Sequence, residues 1–202
     1  MSTKELLEAI AGEIMFCPRC RLSETRKKAV PGEGNARSRV MIVGEGPGRN
    51  EDIEGRPFVG QAGKFLDRLL TEAGLVRDEV FICNVVRCRP PENRDPLPDE
   101  VDACTPYLNR QIALIKPKVI VSLGQHSTAY MFSKTKLPFE NITKARGKFN
   151  KTKLWGMHMT VFPTFHPAAA LYNGKYKNQL AKDFRLLGKE LVKIDITKQQ
   201  TM

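Results

Sequence analysis

The chain has no hydrophobic run long enough to span a membrane and no N-terminal stretch with the pattern of a secretory signal. We therefore expect a soluble, cytoplasmic protein with no membrane partner. Its five cysteines are an odd number outside a secretory context, which argues against a disulfide framework. The chain also lacks a Gly-Lys-Ser or Gly-Lys-Thr sequence, which excludes a Walker-type nucleotide loop.

No internal repeat and no linker interrupts the 202 residues. A chain of this length suits one well-buried domain and is short for two. We predict a single domain over residues 1–193, followed by a polar C-terminal tail over residues 194–202.

Acidic residues are few compared with basic ones: 33 Lys and Arg stand against 22 Asp and Glu, and the formal net charge is +11. Such an excess can be a solvated surface, or it can bind a polyanion. Basic residues cluster at residues 19–28, 144–153 and 175–182. Because the charge is spread along the chain and is not confined to one tail, it favours a surface that follows a nucleic-acid backbone.

Continuous apolar runs alternate with segments of helical periodicity. Strands are predicted at residues 40–43, 80–86, 119–123 and 160–165, with Pro163 at an edge or a strand end. Helices are predicted at residues 2–13, 61–73, 98–115, 125–132 and 176–192, the third of them broken or kinked near Pro106. This alternation predicts an α/β fold with a parallel sheet covered by helices on both faces.

Four cysteines that lie among basic residues indicate a metal site. Cys17 and Cys20 form a chelating pair, since two intervening residues let both sulfurs face one metal. Cys88 and Cys104 are distant in sequence, so a site built from all four would tie separate segments together. Cys83 lies inside an apolar run and is interpreted as a core thiol. The spacing leaves a [4Fe–4S] centre and a structural zinc both open.

Polar side chains follow three of the predicted strands. Glu45 comes after the first strand, Asn84 lies at the end of the second, and His166 follows the fourth. The carboxyl ends of parallel strands form one rim, and ligands bind in the crevice there. Each residue alone could be a turn former, a cap or a satisfied histidine, but their convergence on one crevice indicates an active site.

The glycine-rich turn at residues 44–48 (GEGPG) does not match a dinucleotide fingerprint, because a proline and polar residues replace the expected helix opening. It could be a plain tight turn. Small residues also let the backbone approach a ligand, and the Glu45 carboxylate could position a water molecule. Phe58 lies in a loop flanked by Pro and Gly, either as a core plug or as a platform on which a base stacks.

Taken together, these segments resemble the family 4 uracil-DNA glycosylases. The first motif of that family is similar to GEGPG with Glu51 and Asp52, followed by GRPFVG at residues 55–60. The second is similar to NVVRCRPP at residues 84–91 with NRDP at residues 93–96, and the third to FHP at residues 165–167. The resemblance covers about residues 14–190. It implies a three-layer α/β/α sandwich with a four-stranded parallel central sheet.

The resemblance further implies an enzyme that flips uracil out of DNA and hydrolyses its N-glycosidic bond, which leaves an abasic site for base-excision repair. Phe58 would stack on the base, and the amide of Asn84 would read its O4 and N3. His166 would donate to O2 as negative charge builds on the departing base. Leu171 would fill the space that the flipped base leaves.

For the hydrolytic step, the resemblance implies a water molecule held near Glu45 and the backbone of Gly46. Glu51 and Asn93 are the alternative water-positioning groups. The four cysteines fall where the family holds a [4Fe–4S] cluster, which would be structural and would pin the basic segment after Cys17 beside the DNA.

Uracil-containing DNA, single- or double-stranded, is the expected partner, a sliding clamp is a further candidate, and the protein is expected to be a monomer. Two alternatives remain: a non-catalytic metal-cluster module that binds nucleic acid, and a glycosylase for another deaminated base such as hypoxanthine. The convergence of three polar side chains on one rim disfavours the first, which needs no such arrangement.

Overall fold

The computed structural model describes residues 1–199, with side chains as far as residue 194. A mixed sheet lies at its centre. Its strands are β1 (Glu33–Gly34), β2 (Val40–Gly44), β3 (Phe81–Asn84), β4 (Val119–Leu123), β5 (Asn150–Leu154) and β6 (Met157–Thr164). Their order across the sheet is β1-β3-β2-β4-β6-β5. The four central strands run parallel, whereas β1 and β5 are antiparallel to their neighbours.

The α/β class is confirmed, and the four predicted strands are the four parallel ones. The strand count differs, because the sheet has two further strands at its edges. β1 has only two residues, and β5 is a lysine-rich segment that lacks an apolar run. Of the two predicted positions for Pro163, the strand end is confirmed, since Pro163 is the penultimate residue of β6. β6 is not an edge strand, but Pro163 lies beyond its pairing with β5, and its carbonyl accepts a 2.8 Å hydrogen bond from the backbone N–H of Gly147.

The helices cover both faces of the sheet. They are α1 (Thr3–Met15), α2 (Leu22–Thr25), α3 (Arg49–Glu54), α4 (Gln61–Glu72), α5 (Pro98–Ile115), α6 (Gly124–Thr135), α7 (Ile142–Ala145), α8 (Ala169–Tyr172) and α9 (Gly174–Gln199). None of the helices in the described part of the chain is long and apolar enough to cross a membrane.

β2 shows why the central strands are continuously apolar. Met41 and Val43 pack with side chains of α1, α5 and α6, whereas Val40 and Ile42 pack with side chains of α4 and α9. Full burial of each such side chain contributes about 1.5–3 kcal/mol. Because both faces are covered in this way, the structure is a three-layer α/β/α sandwich whose strands end at one common rim.

Two helices can be compared closely with their predictions. α5 runs through Pro106 without a break, because Leu108 and Ile112 beyond it are buried in the same core and keep the helix on the sheet; the alternative of a kink there stays a prediction. α9 begins at Gly174 and continues to Gln199, so residues 194–199 of the predicted tail are helical. The remainder of that tail, residues 200–202, lies outside the described residues.

Candidate active site and cysteine cluster

A cavity of about 350 Å³ opens at the carboxyl ends of the central strands. Its wall combines the ends of β2, β3 and β6 with the loop after β3 and with α8. The residues predicted from the sequence that line it are Glu45, Gly46, Glu51, Phe58, Asn84, Asn93 and His166. The three polar strand ends therefore do converge on one crevice.

Close contact between two strand ends requires glycine at position 44. Gly44 and Asn84 are register partners on the neighbouring parallel strands β2 and β3. A Cβ atom on Gly44 would lie 2.3 Å from Asn84 Oδ1 and 2.7 Å from Phe58 Cζ. Glycine therefore lets the amide and the aromatic ring lie side by side at the base of the cavity.

The Asn84 side chain is buried without being satisfied. The residue is 1% exposed, and its Oδ1 has no hydrogen-bond partner among the described residues. Leaving such an acceptor unpaired costs about 1–3 kcal/mol. Because Asn84 also lines the cavity, an N–H donor on a bound ligand would supply the missing partner.

Phe58 is held in a backbone conformation that an aromatic residue rarely adopts. Its φ is 51°, in the left-handed region. The loop packs tightly on α4, since a Cβ atom on Gly63 would lie 1.8 Å from the Phe58 carbonyl oxygen. The surrounding structure thus fixes the Phe58 ring in the cavity wall.

Glu51 fixes this loop against the glycine-rich turn. Its Oε1 accepts hydrogen bonds of 2.9 Å from the backbone N–H groups of Val59 and Gly60. Its Oε2 accepts a 3.1 Å bond from the backbone N–H of Gly48. The carboxylate already has three donors, which suits the positioning of the Phe58 loop better than the activation of a water molecule.

His166 is prepared as a neutral hydrogen-bond donor. The backbone N–H of Ala168 donates to Nδ1 at 3.2 Å, so Nε2 carries the proton of the neutral imidazole. Burial lowers the pKa of His166 to about 4, and nearby Glu51 offsets only part of this effect. The ring centroid lies 5.5 Å from that of Phe58, so donor and aromatic face adjoin in one pocket.

Glu45 lies beside two groups that the sequence did not connect with it. His126 Nε2, on α6, is 3.9 Å from Glu45 Oε2 and 3.2 Å from Asp95 Oδ2. Burial raises the pKa of Glu45, His126 lowers it, and Asp95 raises it. The Glu45 side chain is 29% exposed, which leaves it open to water at the cavity.

Asn93 and Arg94 form the rim on the side of the loop after β3. Asn93 is exposed, and its Oδ1 accepts a 2.7 Å hydrogen bond from Arg89 Nε. Arg94, which the sequence reasoning missed, lines the cavity but pairs at 2.6 Å with the fully buried carboxylate of Glu100. The Arg94 charge is therefore directed away from a ligand.

Leu171 does not line the cavity. It is 47% exposed on α8 and lines a neighbouring groove, whereas Tyr172, which is 91% exposed, lines the cavity. The signal that could have identified Tyr172 was an aromatic residue shortly after His166. Which face of α8 each side chain takes could not be read from so short a segment.

The four predicted metal-ligating cysteines surround one small space. Cys17 and Cys20 lie just after α1, Cys88 lies in the loop after β3, and Cys104 lies on α5. All four line the same narrow cavity. Cys83 is instead a residue of β3, fully buried in the core.

The thiols of this cluster have cationic and polar donors next to them. Burial raises the pKa of Cys88 and raises that of Cys104 to about 12. Arg26 Nη1 donates to Cys88 Sγ, and the backbone N–H of Arg87 donates to Cys104 Sγ, each at 3.2 Å. The raised pKa values favour the protonated form of Cys88 and Cys104, and a metal that binds here would displace their protons.

Comparison with known proteins identifies the family. The family model described as the uracil DNA glycosylase superfamily matches residues 31–187. A type-4 uracil-DNA glycosylase of Saccharolobus solfataricus is 53% identical over 192 residues, which cover 95% of this chain and 89% of the relative. The chain belongs to the type-4 uracil-DNA glycosylases. Relatives of the same type are 56% identical over 180 residues in Sulfurisphaera tokodaii and 44% identical over 184 residues in Archaeoglobus fulgidus; these matches cover 89% and 91% of this chain and 82% and 92% of the relatives.

In this type-4 uracil-DNA glycosylase, one predicted basic cluster is partly used within the fold. Arg146 pairs with Asp183 at 2.6 Å and lies over the ring of Phe165 at 5.1 Å. Three other cations line the groove beside α8 and form no ion pair with another described residue. They are Lys64, Arg68 and Lys177. Three cations without an ion pair among the described residues therefore lie next to the cavity.

Proposed function

We propose that this protein binds uracil-containing DNA, takes the uracil nucleotide into the cavity at the strand ends, and hydrolyses its N-glycosidic bond. The main support for this proposal is the buried Oδ1 of Asn84, which has no hydrogen-bond partner among the described residues and lies in a pocket that also contains Phe58 and a neutral His166. Uracil offers an N–H donor at N3 beside a carbonyl acceptor at O4. A side-chain amide complements both groups.

Substrate entry requires the nucleotide to leave the base stack, or to be single-stranded already. Inside the cavity, the Phe58 ring supplies the stacking surface that the base loses on leaving the helix. Asn84 Oδ1 accepts from N3–H, and its amide nitrogen donates to O4. The base is thereby held in one orientation with its glycosidic bond toward the cavity mouth.

Bond cleavage leaves the electron pair of the C1′–N1 bond on the departing base, where the charge spreads onto O2. His166 Nε2–H stabilises that oxygen by donation, and a preorganised donor of this kind contributes about 3 kcal/mol. A neutral imidazole suits this role, because the lowered pKa keeps the ring uncharged near neutral pH while Nε2–H remains a donor.

As the C1′–N1 bond breaks, the oxygen of the attacking water bonds to C1′ and the water gives up one proton. The group that orients the water is therefore an acceptor, which can take that proton and pass it to solvent. Glu45 is the strongest candidate, since it lines the cavity and, among the described residues, its carboxylate has no backbone donor of the kind that holds Glu51. Asn93 Oδ1 is bonded to Arg89 and stands at the exposed rim. The arrangement thus favours Glu45, with the backbone of Gly46 beside it.

We also propose that Cys17, Cys20, Cys88 and Cys104 hold a structural [4Fe–4S] cluster. Support comes from the all-sulfur donor set, its enclosure, and the arginine and backbone donors directed at two of the sulfurs. Such a group supplies a covalent link between α1, α5 and the loop after β3. Iron and sulfide analysis separates this proposal from a structural zinc.

The decisive test of the activity is incubation with a single-stranded oligonucleotide that contains one uracil, followed by alkali to cleave abasic sites. The same oligonucleotide with thymine is the control, and one with hypoxanthine tests the alternative substrate. Strand cleavage confined to the uracil substrate is expected. Binding without cleavage, by folded protein, would favour the non-catalytic module. The monomeric state and the sliding-clamp partner remain predictions, which light scattering with and without the clamp can test.

A further inference from the structure

Arg87 is the most deeply buried cation in the described part of the chain. The residue is 1% exposed and lies in the loop between β3 and Cys88. Its Nη2 donates to the neutral amide oxygen of Gln111 at 2.6 Å. Its Nε and Nη1 have no hydrogen-bond partner among the described residues.

A guanidinium in this position needs a negative partner. The effective cost of burying an uncompensated ion is several kcal/mol, and arginine does not lose its proton to avoid that cost. Arg87 forms no salt bridge with a described carboxylate; other arginines in the same region do, as Arg94 does with Glu100. The compensating charge must come from a group of another kind.

The cysteine cluster is the candidate for that charge. Arg87 lines the same small cavity as the four predicted ligands, and its own backbone N–H donates to Cys104 Sγ at 3.2 Å. Cys83 also lies against Arg87, but burial raises the pKa of its thiol, which therefore stays neutral. Four thiolates carry more negative charge than the zinc ion or iron–sulfur core that they would hold carries positive charge. The assembled site is thus anionic.

We propose that Arg87 is the buried counter-charge of the cysteine-held metal centre, so that the arginine and the metal stabilise one another. The proposal rests on the metal centre proposed above but not on the choice between iron–sulfur and zinc. Arg26 is a second, outer cation: it is half-buried, donates to Cys88 Sγ, and is also satisfied by the Cys17 carbonyl at 2.8 Å. Of these two arginines, Arg87 is the one whose Nε and Nη1 have no hydrogen-bond partner among the described residues.

The test compares wild-type protein with Arg87→Met and Arg87→Lys. Methionine fills a similar unbranched volume without charge, and lysine keeps the charge but loses the fork of donors. Arg89→Met is the matched control, since Arg89 lies in the same loop but points to Asn93 at the rim. Metal and sulfide per chain, and the rate of metal loss to a chelator, are measured for each. Arg87→Met should lose metal at least about tenfold faster, Arg87→Lys less so, and the control should match wild type.

Thermal unfolding of the metal-loaded and metal-free forms gives a test that packing alone cannot mimic. With metal bound, Arg87→Met should melt below wild type, because the anionic site has lost its counter-charge. Without metal, Arg87→Met should melt at or above wild type, because no buried cation is left uncompensated. This change of sign is the coupling expected of two mutually stabilising groups.

An equal loss of melting temperature in both forms would reduce Arg87 to a packing role and overturn the proposal. Metal loss from Arg87→Met at the wild-type rate would also overturn the proposal. This measurement needs only the metal-loaded proteins, so it gives an answer even if the metal-free wild type does not fold. A wild-type protein that contains no metal would overturn it too. In that case the uracil-excision assay still reports independently on the proposed activity.

Discussion

Asn84→Asp replaces one donor in the pocket by an acceptor and leaves the shape of the side chain nearly unchanged. Asn84 is 1% exposed and its Oδ1 has no partner among the described residues, so neither bulk water nor a neighbouring side chain can absorb the change. The new carboxylate oxygen would face the O4 carbonyl of uracil. Two acceptors then meet in a buried site, and we expect uracil excision to fall at least about a hundredfold, or roughly 2.7 kcal/mol.

The magnitude follows from two effects. An acceptor left unpaired in a buried pocket costs about 1–3 kcal/mol. A buried carboxylate must in addition be desolvated or take up a proton. Protonation restores a donor, so the ratio of variant to wild-type activity should rise as the pH falls. Cytosine, with an amino donor at position 4, becomes the better-matched base, whereas Asn84→Ala should lose uracil without gaining cytosine.

The assay is single-turnover excision from uracil- and cytosine-containing oligonucleotides, read out by alkaline cleavage. Asn35→Asp is the matched control: it makes the same chemical change at an exposed site, where Oδ1 accepts a bond from the backbone N–H of Arg37 and can go on doing so. Near wild-type uracil excision by folded Asn84→Asp would show that Asn84 is not the base reader. The assignment of the pocket at the strand ends would then be wrong.

Three further predictions concern the metal, the pH profile and the DNA surface. Serine at any one of the four cluster cysteines should abolish metal binding, whereas Cys83→Ala should keep it; metal analysis and absorbance spectra decide this. If ionised Glu45 orients the water, the rate of excision should fall as the pH drops through the raised pKa of Glu45. Because His126 lowers that pKa, His126→Gln should move the acidic fall in rate to higher pH, whereas His158→Gln should leave it in place. Replacing the three groove cations together should reduce the slope of log affinity for DNA against log salt concentration by up to about three, one for each lost phosphate contact. Replacing Lys118, Lys151 and Lys153, at the opposite end of the sheet, should leave that slope unchanged.

The parallel core and its rim could be predicted because their signals are local. Strands buried on both faces appear as unbroken apolar runs, and a strand end is marked by the first polar or glycine residue after the run. Glu45, Asn84 and His166 each stand at such a point, so the sheet geometry alone brings them together. β5 lacks that signal: its lysines face solvent at the sheet edge, and only pairing with β6 makes it a strand.

What the sequence could not show are contacts between segments. His126 and Asp95 lie beside Glu45 only because α6 and the loop after β3 meet above the sheet. Glu51 looked like an alternative catalytic carboxylate, and its three backbone donors appear only when the turn and the Phe58 loop are folded together. In α8, a difference of one residue decides whether Leu171 or Tyr172 lines the cavity. These features depend on tertiary packing, which no periodicity encodes.

The two sites share one segment of chain. Asn84, the proposed base reader, lies at the end of β3. Arg87 and Cys88, three and four residues later, line the cysteine cavity, after which Asn93 lines the active-site cavity and Asp95 lies beside His126. This loop has little regular structure beyond one 3-10 turn at residues 91–93. A metal centre bound to Cys88 would link this loop to the segment just after α1 and to α5. It would thereby fix the position of Asn84 on one side of Cys88 and of Asn93 on the other. If the proposed centre is present, its removal should weaken uracil excision through loss of pocket order, since the cluster is proposed as structural.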